Sequence, residues 1–182
     1  MKYKEDINRY KSYNKSNNVF FLILCTQGLW VLFFYRVFNN LYISKIPSFL
    51  KKTMLFFYIP IQKSMECFTG ISIPYSASIG EGFYIGHFGN IIIHPNSVIG
   101  TNCNISQGVT IGVSGRGDKR GTPIIGNNNY IGANAVVAGK IIIGNNCVIA
   151  ANSLVIENLS DNSTVMGVPA KVINNLGSKG YI

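Results

Sequence analysis

The chain has 182 residues, enough for one well-buried domain with an appendage and too few for two large domains. Its net charge of +9 is uneven, because residues 1–69 hold ten of the 16 Lys and Arg residues but three of the seven acids. The same residues hold most of the Phe, Tyr and Trp side chains, so the chain changes character near residue 70. The four cysteines form no C-x-x-C pair, which argues against a zinc site or a disulfide framework and fits a reducing cytoplasm.

A basic charge and many aromatic residues are also typical of nucleic-acid-binding proteins. Here the aromatic residues cluster in apolar runs such as LFFY and VLFFYRVF. A groove that stacks bases needs single aromatic side chains placed between cations. We therefore expect no nucleic-acid partner.

The first long apolar segment is VFFLILCTQGLWVLFFY, residues 19–35. Eighteen mostly polar residues precede it and no small-residue cleavage pattern follows, which argues against a signal peptide. Three interpretations stay open: a short membrane-spanning helix interrupted at Thr26 to Gly28, helices lying on a membrane face, and a helix pair packed on the rest of the protein. The pattern favours the packed pair.

From residue 71 onward the dominant signal is a six-residue repeat of Ile or Val. It runs from Ile73 to Val155, and seven of its members are followed directly by Gly. A period of six fits neither a helix nor an alternating hairpin strand. It predicts short strands wound around a prism, with aliphatic side chains inside and turn-tolerant Gly or Asn at the corners. Cys103 and Cys147 occupy the fifth place of their units and are predicted to be small inward-facing fillers.

Two steps break this period and predict protrusions from the prism. The step from Ile85 to Ile93 takes eight residues, with the surplus around His87 to Asn90, and a second break makes a loop of residues 113–124. Functional sites are often built on protrusions from a rigid scaffold. His87 lies in the first protrusion, whereas His94 falls at an ordinary corner place and is predicted to be a surface residue.

The order of these motifs resembles a known family. IGHFGNIII is followed by ISQGVTIG, a glycine-rich polar loop, IGNNNYIGANAVV and finally GVPAKVI. This set is similar to the hexapeptide-repeat acyltransferases, in particular the serine acetyltransferase branch, over about residues 20 to 173. The resemblance implies a left-handed parallel β-helix over residues 71–166. A short α-helical, basic and aromatic region, residues 1–70, would precede it, and a tail, residues 167–182, would follow.

The resemblance also implies an activity, the transfer of an acetyl group from acetyl-CoA to an alcohol. His87 matches the catalytic histidine of the family, and a histidine is suited to remove the hydroxyl proton near neutral pH. One rung later along the coil lies Gln107, which we expect near the imidazole. No metal is expected.

A groove for coenzyme A along the coil edge near the polar loop is a further implication of the resemblance. Small side chains are needed where the pantetheine arm passes, and a cation where the nucleotide phosphates lie. The matching positions are Gly112, Ser114, Ala133 and Ala151, with Lys171 as the cation. Arg116, Lys119 and Arg120 on the loop are weaker candidates.

The acceptor side departs from the family pattern. Serine acetyltransferases have an aspartate 15 residues before the catalytic histidine and a second histidine that closes the polar loop, and here those substrate-binding places hold Ser72 and Thr122. A free amino acid needs partners for its ammonium and carboxylate, whereas a neutral sugar does not. The sequence therefore favours a sugar hydroxyl of a bacterial surface polysaccharide or its lipid-linked precursor as acceptor. Serine O-acetylation of cysteine biosynthesis is the second hypothesis and a catalytically silent trimeric scaffold the third.

Partners and location follow from the same reasoning. The family forms homotrimers with active sites at subunit contacts, so we expect a homotrimer, with a dimer of trimers left open. The protein is expected in the cytoplasm, with peripheral contact at the inner face of the membrane through the basic, aromatic N-terminal region.

Overall fold

The computed structural model describes residues 2–14 and 18–182. Within these residues the chain forms four helices, α1 (Lys2–Asn14), α2 (Val19–Cys25), α3 (Gln27–Ile43) and α4 (Ser48–Thr69). Fifteen short strands follow: β1 (Ile71–Ser72), β2 (Ser78–Ile79), β3 (Tyr84–Ile85), β4 (Ile91–Ile93), β5 (Val98–Ile99), β6 (Asn104–Ile105), β7 (Thr110–Gly112), β8 (Ile124–Ile125), β9 (Tyr130–Ile131), β10 (Val136–Ala138), β11 (Ile142–Ile143), β12 (Val148–Ile149), β13 (Leu154–Val155), β14 (Thr164–Gly167) and β15 (Ala170–Asn174). A 3₁₀ turn, Gly117–Lys119, lies in the loop between β7 and β8.

The strands build three parallel sheets that form the sides of a prism. Their orders are β1-β4-β7-β10-β13, β2-β5-β8-β11 and β3-β6-β9-β12-β14, so up to β13 every third strand stacks on the same side, and β14 then stacks on β12. The last sheet ends with β15, which folds back antiparallel to β14. The predicted left-handed parallel β-helix with a helical N-terminal region is confirmed.

The Ile and Val side chains of the six-residue repeat fill the interior of the prism. All of the repeat positions between Ile73 and Val155 are at most 2% exposed. They stack in register, as where Ile85 pairs with Ile105 and Ile105 with Ile131. Cys103 and Cys147 are fully buried, which confirms their prediction as inward fillers. Burial of such a continuous aliphatic column is the main force that holds the coils together.

The corners need residues that tolerate left-handed backbone or close approach. Seven asparagines among the described residues have positive φ, and those on one corner join in a ladder in which the Asn128 side-chain amide donates to Asn146 and that of Asn146 donates to Asn162. At Gly80 a Cβ atom would lie 2.5 Å from the carbonyl of Gly100 on the next coil. This corner therefore requires glycine.

The helices α1 and α3 cover the first coil, whose strands have no earlier coil to pair with. The Tyr10 hydroxyl bonds the N–H and C=O of Ile85, and the Tyr35 hydroxyl accepts from the Ile79 N–H and donates to the Ala77 carbonyl. These side chains satisfy backbone groups that would otherwise form an open strand edge.

A buried ion pair fixes both helices to the coil. The Arg36 guanidinium donates to the Asp6 carboxylate at 2.8 and 3.0 Å and to the carbonyls of Ile79 and Gly80 at 2.7 and 2.6 Å. Asp6 also accepts from the Phe83 N–H at 2.9 Å. The two side chains are 0% and 3% exposed, so this network lies entirely out of water.

The apolar run of residues 19–35 is divided by Thr26, and the axes of α2 and α3 meet at 94°. Leu29, Leu32 and Tyr35 of α3 are buried in the core. Among the described helices, none taken alone has the length and hydropathy needed to cross a bilayer. The bent pair of α2 and α3 meets both criteria on length and composition.

Candidate active site

His87 lies on a loop that is an insertion in the regular register of the coil. On β3 Ile85 pairs with Ile105, an offset of 20 residues, whereas on β4 Ile93 pairs with Ile111, an offset of 18. The two surplus residues are therefore between β3 and β4, where the sequence predicts the first protrusion. His87 is exposed to solvent at this point.

Gln107 lies on the next coil, beside the loop that carries His87. The Gly86 N–H donates to the Ile105 carbonyl and the Gly108 N–H donates to the Gly89 carbonyl, so residues 87–89 lie beside Ser106 and Gln107 of the next coil. The Gln107 Oε1 atom is buried and has no hydrogen-bond partner among the described residues. A buried acceptor without a donor is costly and suits a polar group that arrives from the loop or with a ligand. The pairing of Gln107 with His87 stays a prediction.

The C-terminal end of α4 lies against the other side of this loop. The helix ends at Thr69 and is capped by Gly70, which has a left-handed backbone (φ 65°) and whose carbonyl accepts from the Ile91 N–H at 2.9 Å. A Cβ atom on Gly70 would lie 3.0 Å from the Asn90 nitrogen and the Gly89 Cα. The C-terminal end of α4 is thus in direct contact with the segment that carries His87.

A carboxylate that the sequence analysis did not identify lies beside Ser72. The Ser72 hydroxyl donates to Glu66 Oε1 at 2.7 Å, and Gln62 and Lys63 donate to the same carboxylate at 2.9 and 2.6 Å. Burial is the largest single influence and raises the pKa of Glu66. The hydrogen bonds from Lys63, Ser72 and Gln62 outweigh it, so the pKa lies below its ordinary value. Glu66 is the one acid in the sequence between Asp6 and Glu81, a signal that could have identified it.

A cleft of about 310 Å³ opens beside His87. Its walls come from α1, the coil and the C-terminal tail, and they share aromatic rings, amides and hydroxyls: Tyr13, Asn14, Tyr84, Asn104, Ser106, Tyr130 and Tyr181. Tyr13 stacks on Tyr84 with ring centroids 4.4 Å apart, and Tyr130 contacts Tyr181 at 5.0 Å. Among the described residues no Asp, Glu, Lys or Arg lines this cleft, and the Arg9 guanidinium donates to the wall residues Tyr13 and Asn104.

Thr122 lies in a different environment from Ser72. Its hydroxyl donates to the Asn96 carbonyl at 3.0 Å, and the Asn96 N–H donates to His94 Nδ1 at 3.1 Å. His94 is half-buried at a corner, as the repeat predicts. Within the described parts of the chain, no hydrogen bond joins Thr122 to Ser72 or His87.

The predicted coenzyme A residues lie at three places: the polar loop, one corner of the coil, and the terminal hairpin of β14 and β15. Ser114 closes the polar loop by exchanging backbone hydrogen bonds with Gly121, and it lines a cleft of about 410 Å³ with Lys140 and Ile156. Gly112, at the end of β7, pairs with Ala138.

Ala133 and Ala151 occupy successive turns of one corner, where the Asn152 N–H donates to the Ala133 carbonyl. Lys171 is exposed on β15, 3.9 Å from the exposed carboxylate of Glu157. The role of each in binding coenzyme A stays a prediction.

Comparison with known sequences places this geometry in a family. A family model described as bacterial transferase hexapeptide (six repeats) matches residues 122–157. A serine acetyltransferase of Bacillus subtilis (strain 168) is 32% identical over 177 residues, which cover 97% of this chain and 78% of the relative. That of Synechococcus elongatus is 32% identical over 156 residues, 86% of this chain and 61% of the relative. The chain therefore spans less than two thirds of the cyanobacterial protein.

A third relative comes from polysaccharide synthesis. The putative colanic acid biosynthesis acetyltransferase WcaB of Escherichia coli (strain K12) is 42% identical over 107 residues, 59% of this chain and 65% of the relative. The relative with the higher identity over a shorter stretch is thus named for colanic acid biosynthesis and not for serine.

Solved structures agree with the sequence relatives. The crystal structure of Neisseria gonorrhoeae serine acetyltransferase superimposes with a TM-score of 0.81 at 30% identity, covering 96% of this chain and 64% of that one. A serine acetyltransferase in complex with CoA gives a TM-score of 0.79 at 25% identity, covering 94% of this chain and 68% of that one. The chain belongs to the serine acetyltransferase family, a family of hexapeptide-repeat acyltransferases.

Proposed function

We propose that the chain is an acetyl-CoA-dependent O-acetyltransferase whose acceptor is a sugar hydroxyl, on a bacterial surface polysaccharide or its lipid-linked precursor. The observation that carries the choice of acceptor is the cleft beside His87, which has aromatic, amide and hydroxyl walls and no charged side chain among the described residues.

Such walls suit a neutral glycan better than a free amino acid. An ammonium and a carboxylate that leave water need charged or hydrogen-bonding partners, and a binding site without them is costly. A sugar ring offers C–H faces to aromatic rings and hydroxyls to amides and phenols. Ser106 and Tyr130 line the cleft and carry hydroxyl groups, whereas the buried amide of Asn104 is already bonded to Tyr13 and to the Tyr181 carbonyl.

His87 would act as the general base in this reaction. It removes the proton from the acceptor hydroxyl as that oxygen attacks the thioester carbonyl. The new C–O bond forms and the C–S bond breaks, and the proton held by the imidazole passes to the departing thiolate. The products are the O-acetyl ester and free coenzyme A. The buried Gln107 Oε1 below the loop is available to accept an N–H, and the imidazole can supply one.

The proposal of acetyl-CoA as donor is supported by the related structure solved in complex with CoA. The small residues Ala133 and Ala151 leave room at one corner for a narrow pantetheine arm. The cleft at Ser114 has two cations, Lys119 of the polar loop and Lys140 of the coil.

A homotrimer is part of the same proposal. Along one side of the prism Val98, Ile124 and Ile142 form a column of outward apolar side chains that are 39–58% exposed. An exposed apolar column on a flat, rigid sheet is suited to contact another subunit.

Serine O-acetylation is the second candidate, and the comparisons favour it by number and by coverage. One structural observation also supports it: Glu66 places a carboxylate 2.7 Å from the Ser72 hydroxyl, beside the position where the family has its aspartate. A carboxylate displaced in this way could bind the ammonium of serine.

A parallel thiol-release assay separates the two acceptors. One arm contains L-serine, and the other contains oligosaccharide released from the surface polysaccharide of the source organism and stripped of its esters by alkali. Each unpaired polar group in the serine site costs about 1–3 kcal/mol, so two losses reduce serine turnover roughly 30-fold to 10⁴-fold. We expect release with serine near the hydrolysis background and faster release with the oligosaccharide. Efficient serine turnover with none on the oligosaccharide would reverse the order of the two candidates.

A further inference from the structure

Helix α4 exposes an unusually apolar surface, which we call the α4 outer face. Its members are large apolar side chains that are 50–78% exposed: Phe49, Leu50, Met54, Phe56, Phe57, Ile59 and Phe68. Solvent-facing positions of a helix on a soluble protein are ordinarily polar or charged. A face of this kind therefore marks an interaction surface.

The packing of α4 explains why this face points away from the protein. Leu55, Tyr58 and Thr69 are the buried residues of the helix, and they lie on one stripe. Tyr58 contacts Phe38 of α3 with ring centroids 4.3 Å apart, and its hydroxyl donates to the Ile73 carbonyl. This stripe suffices to hold a 22-residue helix, about 33 Å long, against α3 and the coil. The side chains of the α4 outer face keep at least half of their surface outside that contact.

The charges around the face indicate what covers it. Residues 44–69 contain four lysines and one glutamate, and Lys45 and Lys52 are exposed. Glu66 is already bonded to Lys63, so the charge left on this surface is positive. The centre of a protein–protein interface is depleted in lysine, whereas at a bilayer surface lysine stems lie among apolar groups while their ammonium groups reach lipid headgroups. Lys52 lies one turn from both Phe49 and Phe56, the arrangement that suits lipid.

We infer that the α4 outer face docks on the surface of a bilayer containing anionic lipid, with its aromatic rings at the headgroup level. The cytoplasmic leaflet carries the negative charge that attracts such lysines. The C-terminal end of α4 contacts Gly89 and Asn90, so docking places the His87 loop beside the bilayer. Docking itself does not depend on the acceptor, but its use in reaching a lipid-linked sugar rests on the proposed function.

Vesicle flotation of the full chain tests this inference. The probes are phosphatidylcholine vesicles and vesicles of equal parts phosphatidylcholine and phosphatidylglycerol, at low salt and in about 1 M salt, where the screening length is about 3 Å. Phe56→Ser/Phe57→Ser removes two rings that are 67% and 63% exposed, so folding is preserved. The matched control is Leu176→Ser in the tail, 82% exposed. A second pair compares Lys45→Gln/Lys52→Gln with Lys119→Gln/Arg120→Gln, which removes the same charge from the polar loop.

We expect the wild-type chain to float with anionic vesicles at low salt and to be released by salt. Loss of the two phenylalanines should weaken binding roughly tenfold or more, and loss of the two lysines about fivefold for each one removed. Both control variants should bind like wild type. Absence of flotation at low salt, or equal binding by the variants and their controls, overturns the inference. So does a fall in native mass on Phe56→Ser/Phe57→Ser with unchanged flotation, because a second copy of the chain would then be the occupant. Thiol release on soluble oligosaccharide tests the proposed function separately.

Discussion

The substitution Asp6→Asn tests the buried network that fixes α1 and α3 to the coil. It preserves shape and leaves an oxygen for the Phe83 N–H, but it removes the negative charge that lies 2.8 Å from Arg36. A buried ion pair broken from one side typically costs about 3–5 kcal/mol. Because Arg36 keeps the carbonyls of Ile79 and Gly80, we expect about 3 kcal/mol, the low end of that range. For a chain of this size that corresponds to a fall in Tm of about 6–12 °C.

The assay is urea unfolding at fixed protein concentration, because subunit association would also contribute to stability. The double variant Asp6→Asn/Arg36→Met removes both charges and should recover much of the loss. Lys63→Met, at the exposed ion pair with Glu66, serves as control and should change the midpoint far less. Unfolding of Asp6→Asn at the wild-type midpoint would refute the reasoning. Because α1 carries Tyr13 into the cleft, the same variant should also weaken acceptor binding.

Two further predictions concern individual side chains. His87→Ala should lower turnover by roughly two to four orders of magnitude with coenzyme A affinity little changed, while His94→Ala does much less; equal losses would contradict the assignment of the base. Burial raises the pKa of the Cys103 thiol to about 11 and shifts that of Cys147 in the same direction. A thiol reagent at about pH 8 should therefore modify only two cysteines of the native protein, and labelling of all four would contradict the packing. The two that react are the exposed Cys25 and Cys67.

The coil could be predicted from the sequence because its constraints are local. A side chain six residues after a buried one returns to the interior, so Ile105, Ile111 and Val155 were identifiable by counting. The same counting located the loop at His87, since an insertion shifts every later position. Corner residues were also readable, because Asn and Gly are the residues that accept positive φ at low cost.

The cleft beside His87 could not be predicted in this way. Tyr13, Tyr84, Tyr130 and Tyr181 are separated by tens of residues and no period relates them, so only the folded chain brings them together. The tail is held there by hydrogen bonds from Tyr13 and Asn104 to the Tyr181 carbonyl, a contact that no local pattern encodes.

Hydropathy alone does not indicate which N-terminal segment is exposed. The most apolar run, residues 19–35, contributes Leu29 and Leu32 to the core. The less apolar helix α4 presents more aromatic surface to solvent, because its buried stripe is narrow. Mean hydropathy reports how apolar a segment is, and it contains no information on which partner covers the segment.

The two ends of the prism are closed by different means, and this difference bears on how copies of the chain can grow into larger assemblies. At the first end Tyr10 and Tyr35 occupy backbone groups of β2 and β3. At the last end β15 turns back on β14 and reverses the strand direction. A stack of parallel coils is otherwise a template that could add another chain indefinitely. Because helix side chains close one end and an antiparallel hairpin closes the other, the two ends cannot pair with each other. Head-to-tail fibre growth is therefore blocked, and association is directed to the sides of the prism.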